Sequence, residues 1–472
     1  MCADRADFVA QAWDRDVLPA LEDYIRIPAK SPAFDPDWKE HGHLHRAAEL
    51  LRQWSAQRDI EGLIVEIVEI EGRTPVLLVE VPATAASEET VLLYGHLDKQ
   101  PEMLGWRPGL GPWEPVRDGE LLYGRGGADD GYSTFAALTA IEAVQRAGAG
   151  HARCVVLIEG SEESGSPDLP AYVDHLAPRL GAVGLVVCLD SFCGTYDRLW
   201  STTSLRGLLN LTVRVALLEE GVHSGATGML PSSFRVARRL LERVEDAATG
   251  RIVLDDLHVD VPPERVDEAR HAAEVLGESL LGDSPLLPGV QPAADDPTEL
   301  LLASTWRPAL EVVGADGLPA VTDAGNVLRA ETALKLSFRL PPVTALEPAR
   351  EAITEALTAD PPYGAHVEVS AVEAAPGWAA PPTAGWLADA VAAASEAWYG
   401  APPGAVGVGG SIPFMAMLGE RFPDAQYLVA GVLGPGSNAH GPNEFLHVPS
   451  GVRLTGCVAH VLAAHAARPQ AS

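Results

Sequence analysis

The stretch VLLYGHLD, residues 91–98, passes from a short apolar run directly into a histidine and an aspartate. Similar apolar runs recur at residues 154–158 and 184–189, and segments with helical spacing lie between them, at residues 134–146 and 168–180. Apolar runs of this length that alternate with helices are typical of strands buried on both faces of a largely parallel sheet. The first part of the chain is therefore predicted to be an α/β domain whose sheet is flanked by helices.

The middle of the chain has a different pattern, in which apolar and polar residues alternate with a period of two. This pattern occupies residues 209–217, 334–340 and 367–371, with helical spacing nearby at residues 232–245 and 348–358. A period of two indicates a sheet with one solvated face, which is typical of antiparallel strands. Residues 250–310 have weak periodicity and are predicted to form an insertion of helix and loop.

The first pattern returns near the end of the chain, with helical spacing at residues 388–399 and 451–467 and a buried-strand pattern at residues 426–433. The middle segment is therefore predicted to be inserted into the first domain. The predicted fold is a mixed, largely parallel α/β catalytic domain flanked by helices, formed by residues 1–203 and 379–472. An inserted α+β lid domain, residues 204–378, combines an antiparallel sheet with helices.

The composition excludes several classes of partner. A formal net charge of −31 over 472 residues would repel nucleic acid and an anionic membrane surface. No apolar run approaches the length of about 18 residues that spanning a bilayer needs, and residues 1–16 lack the apolar segment of a secretory signal. The five cysteines include no CxxC pair and suggest no disulfide framework, so the predicted location is the reducing cytoplasm.

Residues that carry chemistry directly follow four of the predicted strands. They are His96 and Asp98 in GHLD, Glu162 and Glu163 in EGSEESGS, Asp190 after GLVVCL, and His440 in GPGSNAH. Ligands bind outside the carboxyl ends of strands in α/β sheets, so these side chains are expected to converge there. Clustered carboxylates at the end of a dry strand are costly unless a cation neutralises them. Mixed imidazole and carboxylate ligands suit zinc or manganese.

The stretch GRGGADDGYS, residues 124–133, is compatible with a phosphate-binding loop, a tight turn with solvated acids, or half of a metal site. It lacks the lysine and the glycine spacing of phosphate-binding loops, and its two acids would repel a phosphate. Taken alone, this stretch is still compatible with a tight turn whose acids are solvated. The histidines and carboxylates elsewhere in the chain favour a metal site.

Five candidate ligands suit two ions if one ligand is shared, and a carboxylate can be shared because it has two oxygens. Paired metals about 3.5–4 Å apart clamp a substrate, activate a water and polarise a carbonyl. Of the adjacent Glu162 and Glu163, one would bind a metal while the other takes the proton of the attacking water. Asp98 is placed to orient the imidazole of His96.

These motifs resemble those of the M20 family of di-metal metallopeptidases, and specifically its dipeptidase branch of carnosinase-like and PepV-like enzymes. The matching stretches follow the family order and cover essentially the full length: LEDYIRIPAKSP, YGHLDKQP, GRGGADD, EGSEESGS, the aspartate after the next strand, VHSG, FRLPP, GGSIPF and NAHGPNE. Each stretch alone is a weak signal, whereas the ordered set is specific.

The resemblance implies two divalent metal ions, with Zn²⁺ expected and Mn²⁺ or Co²⁺ as alternatives. The implied ligands are Asp129, which bridges the ions, His96 and Asp190 at one ion, and Glu163 and His440 at the other. Glu162 would be the general base and Asp98 the partner of His96. The family also implies a cis peptide bond between Asp129 and Asp130.

The resemblance further implies substrate contacts from the predicted lid. His223 would stabilise the oxyanion, and Arg339 would hold the free carboxylate of the substrate. Asn326 and the backbone of Gly410 and Ser411 would also contact the substrate. In carnosinase-like relatives the lid histidine acts across a dimer interface, so a homodimer formed through the lid is expected.

The implied function is metal-dependent hydrolysis of the amide bond of dipeptides or similar small peptides, by a hydroxide that bridges the metals and with a glutamate as general base. One alternative is an N-acyl-amino-acid deacylase of the same family, and another is a catalytically silent binding protein. The long lid insertion favours the dipeptidase, and the presence of Glu162 argues against the silent protein.

The chain departs from the family motif beside the predicted bridging aspartate. The family usually has Asp-Asp-Lys-Gly, whereas this chain has Asp-Asp-Gly-Tyr, so Gly131 stands where a lysine is expected. No metal ligand is lost, but a cation is, which bears on the local charge balance and hence on metal preference and pH optimum.

Overall fold

The computed structural model describes residues 2–282, 284 and 286–468. Its strands are, in chain order, β1 Ile64–Val68, β2 Val76–Val81, β3 Thr90–His96, β4 Val116–Asp118, β5 Leu121–Tyr123, β6 Arg153–Glu159, β7 Val183–Cys188, β8 Trp200–Leu205, β9 Gly207–Ala216, β10 Val222–His223, β11 Ala309–Asp316, β12 Val327–Leu328, β13 Glu331–Leu340, β14 His366–Ala375, β15 Trp378–Ala379, β16 Gly404–Val408, β17 Gln426–Val429 and β18 Phe445–His447.

The helices are α1 Cys2–Ala12, α2 Leu18–Ile25, α3 Trp38–His41, α4 His43–Ser55, α5 Tyr132–Arg146, α6 Leu169–Leu180, α7 Ser233–Leu241, α8 Pro263–Leu276, α9 Pro297–Thr305, α10 Leu346–Thr358, α11 Gly385–Tyr399, α12 Pro413–Arg421 and α13 Val448–Ala467. None of the helices in the described ranges combines the length and the apolar composition that crossing a membrane needs.

The main sheet has six strands in the order β1-β2-β6-β3-β7-β17. Strands β6, β3, β7 and β17 run parallel, while β2 pairs antiparallel with β6 and the edge strand β1 pairs antiparallel with β2. Every residue of β3 is buried, which explains why this strand is a continuous apolar run in the sequence. The prediction of a mixed, largely parallel sheet is confirmed.

Helices cover both faces of this sheet. One face packs against α1, α2, α4, α5, α11 and α13, and the other against α6 and α12. Successive residues of a strand point to opposite faces, so Leu92 of β3 joins the second cluster and Leu93 joins the first. The predicted helical layers are therefore present.

A second sheet has four antiparallel strands in the order β11-β13-β9-β14. Its apolar positions in β9 and β13 pack against α7 and α10, and the alternate positions lie on the opposite face. The predicted antiparallel layer is confirmed, whereas β11 was not anticipated from the sequence. Smaller sheets are formed by β10-β12, β15-β8-β16 and β18-β5-β4.

Helices α8 and α9 belong to the stretch predicted as an insertion of helix and loop. They pack against Trp200 of β8 and Val406 of β16 in one hydrophobic cluster. These two helices belong to the predicted lid domain, but they pack against residues of the predicted catalytic domain. The domain boundaries themselves stay a prediction.

Candidate metal centre

The five residues predicted as metal ligands lie together where the parallel strands of the main sheet have their carboxyl ends. They form two groups, His96 with Asp129 and Asp190, and Asp129 with Glu163 and His440, and in each group the potential ligand atoms lie within 4.8 Å of one another. His96 ends β3, Glu163 follows β6 and Asp190 follows β7. Because these strands are parallel, their carboxyl ends bring the three side chains to the same edge.

Asp129 presents one carboxylate oxygen to each group. Its Oδ1 lies 3.3 Å from Nε2 of His96, and Nε2 of His96 lies 3.8 Å from Oδ2 of Asp190. Its Oδ2 lies 3.0 Å from Nε2 of His440, which lies 3.4 Å from Oε2 of Glu163. This is the arrangement that a carboxylate shared between two ions requires.

Hydrogen bonds fix the orientation of the first histidine. Nδ1 of His96 lies 3.0 Å from the backbone oxygen of Asp98, so an Nδ1–H donates to that carbonyl and leaves Nε2 free to bind a metal. The Asp98 carboxylate lies farther from Nδ1, at 3.6 Å. It accepts hydrogen bonds from the backbone N–H groups of Glu162 and Glu163 over 3.1 and 3.0 Å. Asp98 thus positions the histidine and the glutamate turn together.

The peptide bond between Asp129 and Asp130 is cis, as the resemblance implies. Oδ2 of Asp130 accepts a hydrogen bond from the backbone N–H of His96 over 3.2 Å. A Cβ atom on Gly95 would lie 2.2 Å from Oγ of Ser133 and 2.5 Å from Oδ2 of Asp130, so glycine is required for this close approach. Asp130 therefore ties the GADD turn to the end of β3.

A buried ion pair joins three loops of the site. Arg125 and Glu444 are both buried, and Nη1 of Arg125 donates to Oε2 of Glu444. Oε1 of Glu444 accepts from the N–H of Gly126 over 3.0 Å, and Arg125 also donates to the backbone oxygens of Gly441 at 2.8 Å and Pro101 at 3.2 Å. The pair thereby braces the segments that carry Asp129 and His440.

Sequence reasoning missed this pair and one further residue. Gln100 donates from Nε2 to Oε2 of Glu163 over 2.5 Å and so orients that carboxylate. Arg125, Glu444 and Gln100 all lie inside stretches that carry the family resemblance, which is the signal that could have identified them. Nothing in the local pattern, however, shows that Arg125 and Glu444 meet across the chain.

The structure explains why no lysine occupies position 131. A Cβ atom on Gly131 would lie 2.2 Å from Cε1 of Tyr24 and 2.4 Å from the backbone oxygen of Gly126, so no side chain fits. The buried Lys99 packs on the same tyrosine, with Nζ 4.0 Å from the ring centre and 2.8 Å from the backbone oxygens of Tyr24 and Ile27. Burial lowers the pKa of the Lys99 ammonium well below its usual range.

The carboxyl groups of the cluster have strongly shifted pKa values. Burial raises the pKa of Asp190 to about 6 and that of Glu163 to about 8. Burial also acts to raise the pKa of Asp129, but hydrogen bonds from His440 and His96 bring it below its usual value. Burial raises the pKa of Glu162 well above its usual range. In the described part of the chain, the two histidines therefore do not offset the effect of burial on Asp190, Glu163 and Glu162.

The residues present fit divalent cations. In the part of the chain that the structure describes, no lysine or arginine forms an ion pair with these acids, whose ionic partners are the two histidines. Oε1 of Glu163 is buried and has no hydrogen-bond partner among the described residues. Because buried carboxylates without partners are costly, cations bound between them would remove the penalty.

The predicted substrate-binding residues make no described hydrogen bond or ion pair with this cluster. His223 and Asn326 are neighbours on the β10–β12 ribbon, where the N–H of Ser224 donates to the backbone oxygen of Asn326 over 3.0 Å. Arg339 lies near the end of β13, and Gly410 and Ser411 follow β16. Among the described residues, no hydrogen bond or ion pair links any of these positions to the metal-ligand groups. Their substrate contacts stay predictions.

Comparisons with known proteins agree on one family for this chain. The sequence pattern of peptidase family M20/M25/M40 matches residues 92–464. A cysteinylglycine-S-conjugate dipeptidase from Corynebacterium striatum is 30% identical over 366 residues, which are 75% of this chain and 76% of that protein.

Two solved structures share the fold. The structure of the dipeptidase Dug1p from Saccharomyces cerevisiae has a TM-score of 0.75 at 21% identity and covers 100% of this chain and 99% of its own. Human carnosine dipeptidase 1 has a TM-score of 0.73 at 21% identity and covers 98% of both chains. The family match spans all five candidate metal ligands, from His96 to His440. The chain therefore belongs to peptidase family M20/M25/M40.

Proposed function

We propose that the chain is a metal-dependent dipeptidase, which hydrolyses the amide bond of dipeptides or similarly small peptides. One observation carries the proposal: two groups of three potential ligands share the two oxygens of Asp129 at the carboxyl ends of parallel strands. That donor set suits two neighbouring divalent ions, and the chain belongs to a peptidase family.

The proposed ligands of one ion are His96, Asp129 and Asp190, and those of the other are Asp129, Glu163 and His440. Two ions held there would supply Lewis acidity toward the substrate carbonyl and lower the pKa of a bound water. We propose Zn²⁺, with Mn²⁺ or Co²⁺ as alternatives, because imidazole and carboxylate donors together suit these metals.

Glu162 is proposed as the general base. It lies in the same short turn as Glu163, and the Asp98 carboxylate holds that turn through two backbone N–H groups. The Glu162 carboxylate accepts no hydrogen bond from another described residue. It is therefore free to take the proton of the attacking water and to pass it to the leaving amine.

The lid is proposed to complete the substrate site. From the lid, Arg339 would bind the substrate carboxylate, Asn326 would contact the substrate and His223 would stabilise the oxyanion. The backbone of Gly410 and Ser411, in the predicted catalytic domain, would contact the substrate as well. His223 and Asn326 are exposed and make no described contact with the metal cluster of their own chain. That exposure supports action on the site of a second copy, in a homodimer formed through the lid.

The proposed substrate class follows from what the relatives have in common. By their names, one relative acts on S-conjugates of cysteinylglycine and another on carnosine. We propose for this chain only the shared feature, a dipeptide with a free carboxylate. We also propose a cytoplasmic location, because Cys154, Cys188, Cys193 and Cys457 are free and buried, as in a reducing compartment.

The test is an assay of the chain loaded with Zn²⁺, Mn²⁺ or Co²⁺ on a panel of dipeptides and of N-acetyl amino acids. We expect turnover of dipeptides, and a loss in kcat of about 10²- to 10⁴-fold in Glu162→Gln, because the proton transfer loses its base. The matched control is Glu40→Gln, which alters an exposed glutamate and should retain wild-type turnover.

Two outcomes would contradict the proposal. Turnover of N-acetyl amino acids alone would identify a deacylase instead. Unchanged dipeptide hydrolysis by Glu162→Gln would exclude this residue as the base.

A further inference from the structure

Arg206 connects the three-stranded sheet β15-β8-β16 to the four-stranded sheet β11-β13-β9-β14. It separates the last residue of β8 from the first residue of β9, and its side chain is half-buried. Its Nε donates to the backbone oxygen of Gly409 over 3.1 Å, and its Nη1 donates to that of Ala303, near the end of α9, over 3.3 Å. The guanidinium therefore lies against the segment that leads into Gly410 and Ser411.

Arg206 directly precedes β9 of the four-stranded sheet and lies near Arg339 of the neighbouring strand β13. Leu208 of β9 pairs directly with Arg339 of β13, and Arg206 is two residues before Leu208. By this register Arg206 is diagonal to Arg339, within reach of long side chains. Burial and the neighbouring charge of Arg339 lower the pKa of Arg206 to about 10.

Neither arginine has an acidic partner among the described residues. Within residues 2–282, 284 and 286–468, no aspartate or glutamate forms an ion pair with either guanidinium, and Arg339 makes no side-chain hydrogen bond. Glu373 acts on Arg339 from a distance, but its carboxylate accepts a hydrogen bond from Nδ2 of Asn210 over 2.8 Å. Two neighbouring half-buried like charges are costly unless an anion lies between them.

Gly409 keeps the neighbouring backbone close to Arg206. A Cβ atom at this position would lie 2.7 Å from the backbone oxygen of Ser304 and 3.2 Å from Nη2 of Arg206. Only a glycine therefore lets this segment lie against both the end of α9 and the guanidinium. Nη2 makes no hydrogen bond to a described residue and stays free for a ligand.

We propose that Arg206 is a second carboxylate-binding residue, which forms with Arg339 a two-arginine site for the C-terminal carboxylate of a peptide substrate. This inference rests on the proposed dipeptidase function. Two guanidinium groups can each donate charge-assisted hydrogen bonds to a carboxylate, which also relieves their mutual repulsion. Such a site would select substrates with a free carboxyl terminus.

The experiment compares a dipeptide with its C-terminal amide. Leucylglycine and leucylglycinamide are assayed with the wild type, Arg206→Gln and Arg206→Lys, and kcat and KM are determined separately. We expect Arg206→Gln to lower kcat/KM for the acid by about 10- to 100-fold, mostly through KM, and to change the amide far less. Arg206→Lys keeps the charge and should retain part of the preference for the acid. The matched control is Arg307→Gln, which removes an exposed arginine that pairs with Glu299.

A binding measurement separates this inference from the proposed function. Calorimetry with a leucylglycine analogue whose peptide bond is reduced, as the acid and as the amide, needs no turnover. We expect Arg206→Gln to weaken binding of the acid by a similar factor and binding of the amide little. Equal losses for acid and amide would make Arg206 only a structural link between α9 and Gly409, and unchanged values would exclude any role; either result overturns the proposal. If the wild type binds the acid selectively but hydrolyses neither substrate, the dipeptidase proposal fails while the carboxylate site stands.

Discussion

Asp129 links the two halves of the candidate metal centre. Its Oδ1 and Oδ2 lie 3.3 Å and 3.0 Å from the Nε2 atoms of His96 and His440, respectively. The next residue, Asp130, accepts a hydrogen bond from the backbone of His96. One dipeptide thus supplies the shared carboxylate and fixes the strand end that carries the first histidine. At this scale the sequence predicted which residues meet: His96, Glu163, Asp190 and His440 each follow an apolar run, and the family resemblance added Asp129.

Restoring the family lysine at position 131 should damage this protein. In Gly131→Lys, the new Cβ would meet the Tyr24 ring at 2.2 Å and the Gly126 carbonyl at 2.4 Å. Overpacking of this kind costs about 1–3 kcal/mol or more. Urea unfolding should show this loss in Gly131→Lys and already in Gly131→Ala. Gly325→Ala is the control, because a Cβ there meets nothing within 4 Å. A Gly131→Lys variant with wild-type stability would show that Tyr24 does not exclude a side chain.

At the scale of elements, the Arg125–Glu444 pair holds three loops around the metal ligands. Removing one partner of a buried ion pair leaves an unpaired charge and costs about 3–5 kcal/mol. We expect this loss of unfolding free energy in Glu444→Gln, measured by urea denaturation. Asp267→Asn is the control, because its partner Arg270 is exposed and such pairs contribute about 1 kcal/mol or less. Equal, small losses in both variants would refute the bracing role.

Helix α13 should make the protein sensitive to acid. The His465 side chain is buried, with Nε2 3.3 Å from Oε2 of Glu89. Burial and Arg468 lower the pKa of His465 to about 4, against the effect of Glu89. Between about pH 6.5 and pH 4, His465 is protonated in the unfolded chain but neutral in the folded one. The unfolding free energy therefore falls as the pH falls through this range.

The measurement is urea unfolding at several pH values across that window. His465→Gln should lose less stability on acidification than the wild type, because glutamine does not titrate. His175→Gln changes an exposed histidine and should follow the wild-type curve. Parallel curves for the wild type and His465→Gln would contradict this assignment.

The elements differ in how well the sequence predicted them. Strands β3, β6 and β7 are buried on both faces and have a clear apolar signal. Strand β11 is mostly exposed, so neither an apolar run nor a regular alternation marks it. The contact between Arg125 and Glu444 spans 319 residues, and only the folded chain shows it. The packing of α8 and α9 on β8 and β16 is likewise long-range.

At the scale of the whole molecule, we predict a dimer in which His223 of each lid serves the other chain. Glu162→Gln and His223→Ala should each have low activity as pure dimers. After the two variants are mixed under conditions that exchange subunits, hybrid dimers should regain activity, because one of their sites combines an intact Glu162 with an intact His223. Each variant exchanged with itself is the control. A mixture without regained activity, or a monomer by light scattering, would contradict this arrangement.

The architecture of the molecule was predictable from the sequence, but the side-chain contacts between distant segments were not. The patterns of residues 91–98 and 209–217 predict a parallel and an antiparallel layer, and both are present. The pair formed by Arg206 and Arg339 was not predicted. In the sequence Arg206 is one arginine among many, and only the register of β9 and β13 places it beside Arg339.

We propose above all that Asp129 is shared by two divalent ions. The most direct measurement is anomalous diffraction at the zinc edge from crystals grown with Zn²⁺. This sharing predicts two anomalous peaks per chain, about 3.5–4 Å apart, one among His96, Asp129 and Asp190 and the other among Asp129, Glu163 and His440. A single peak, or two peaks of which either lies away from Asp129, would contradict it.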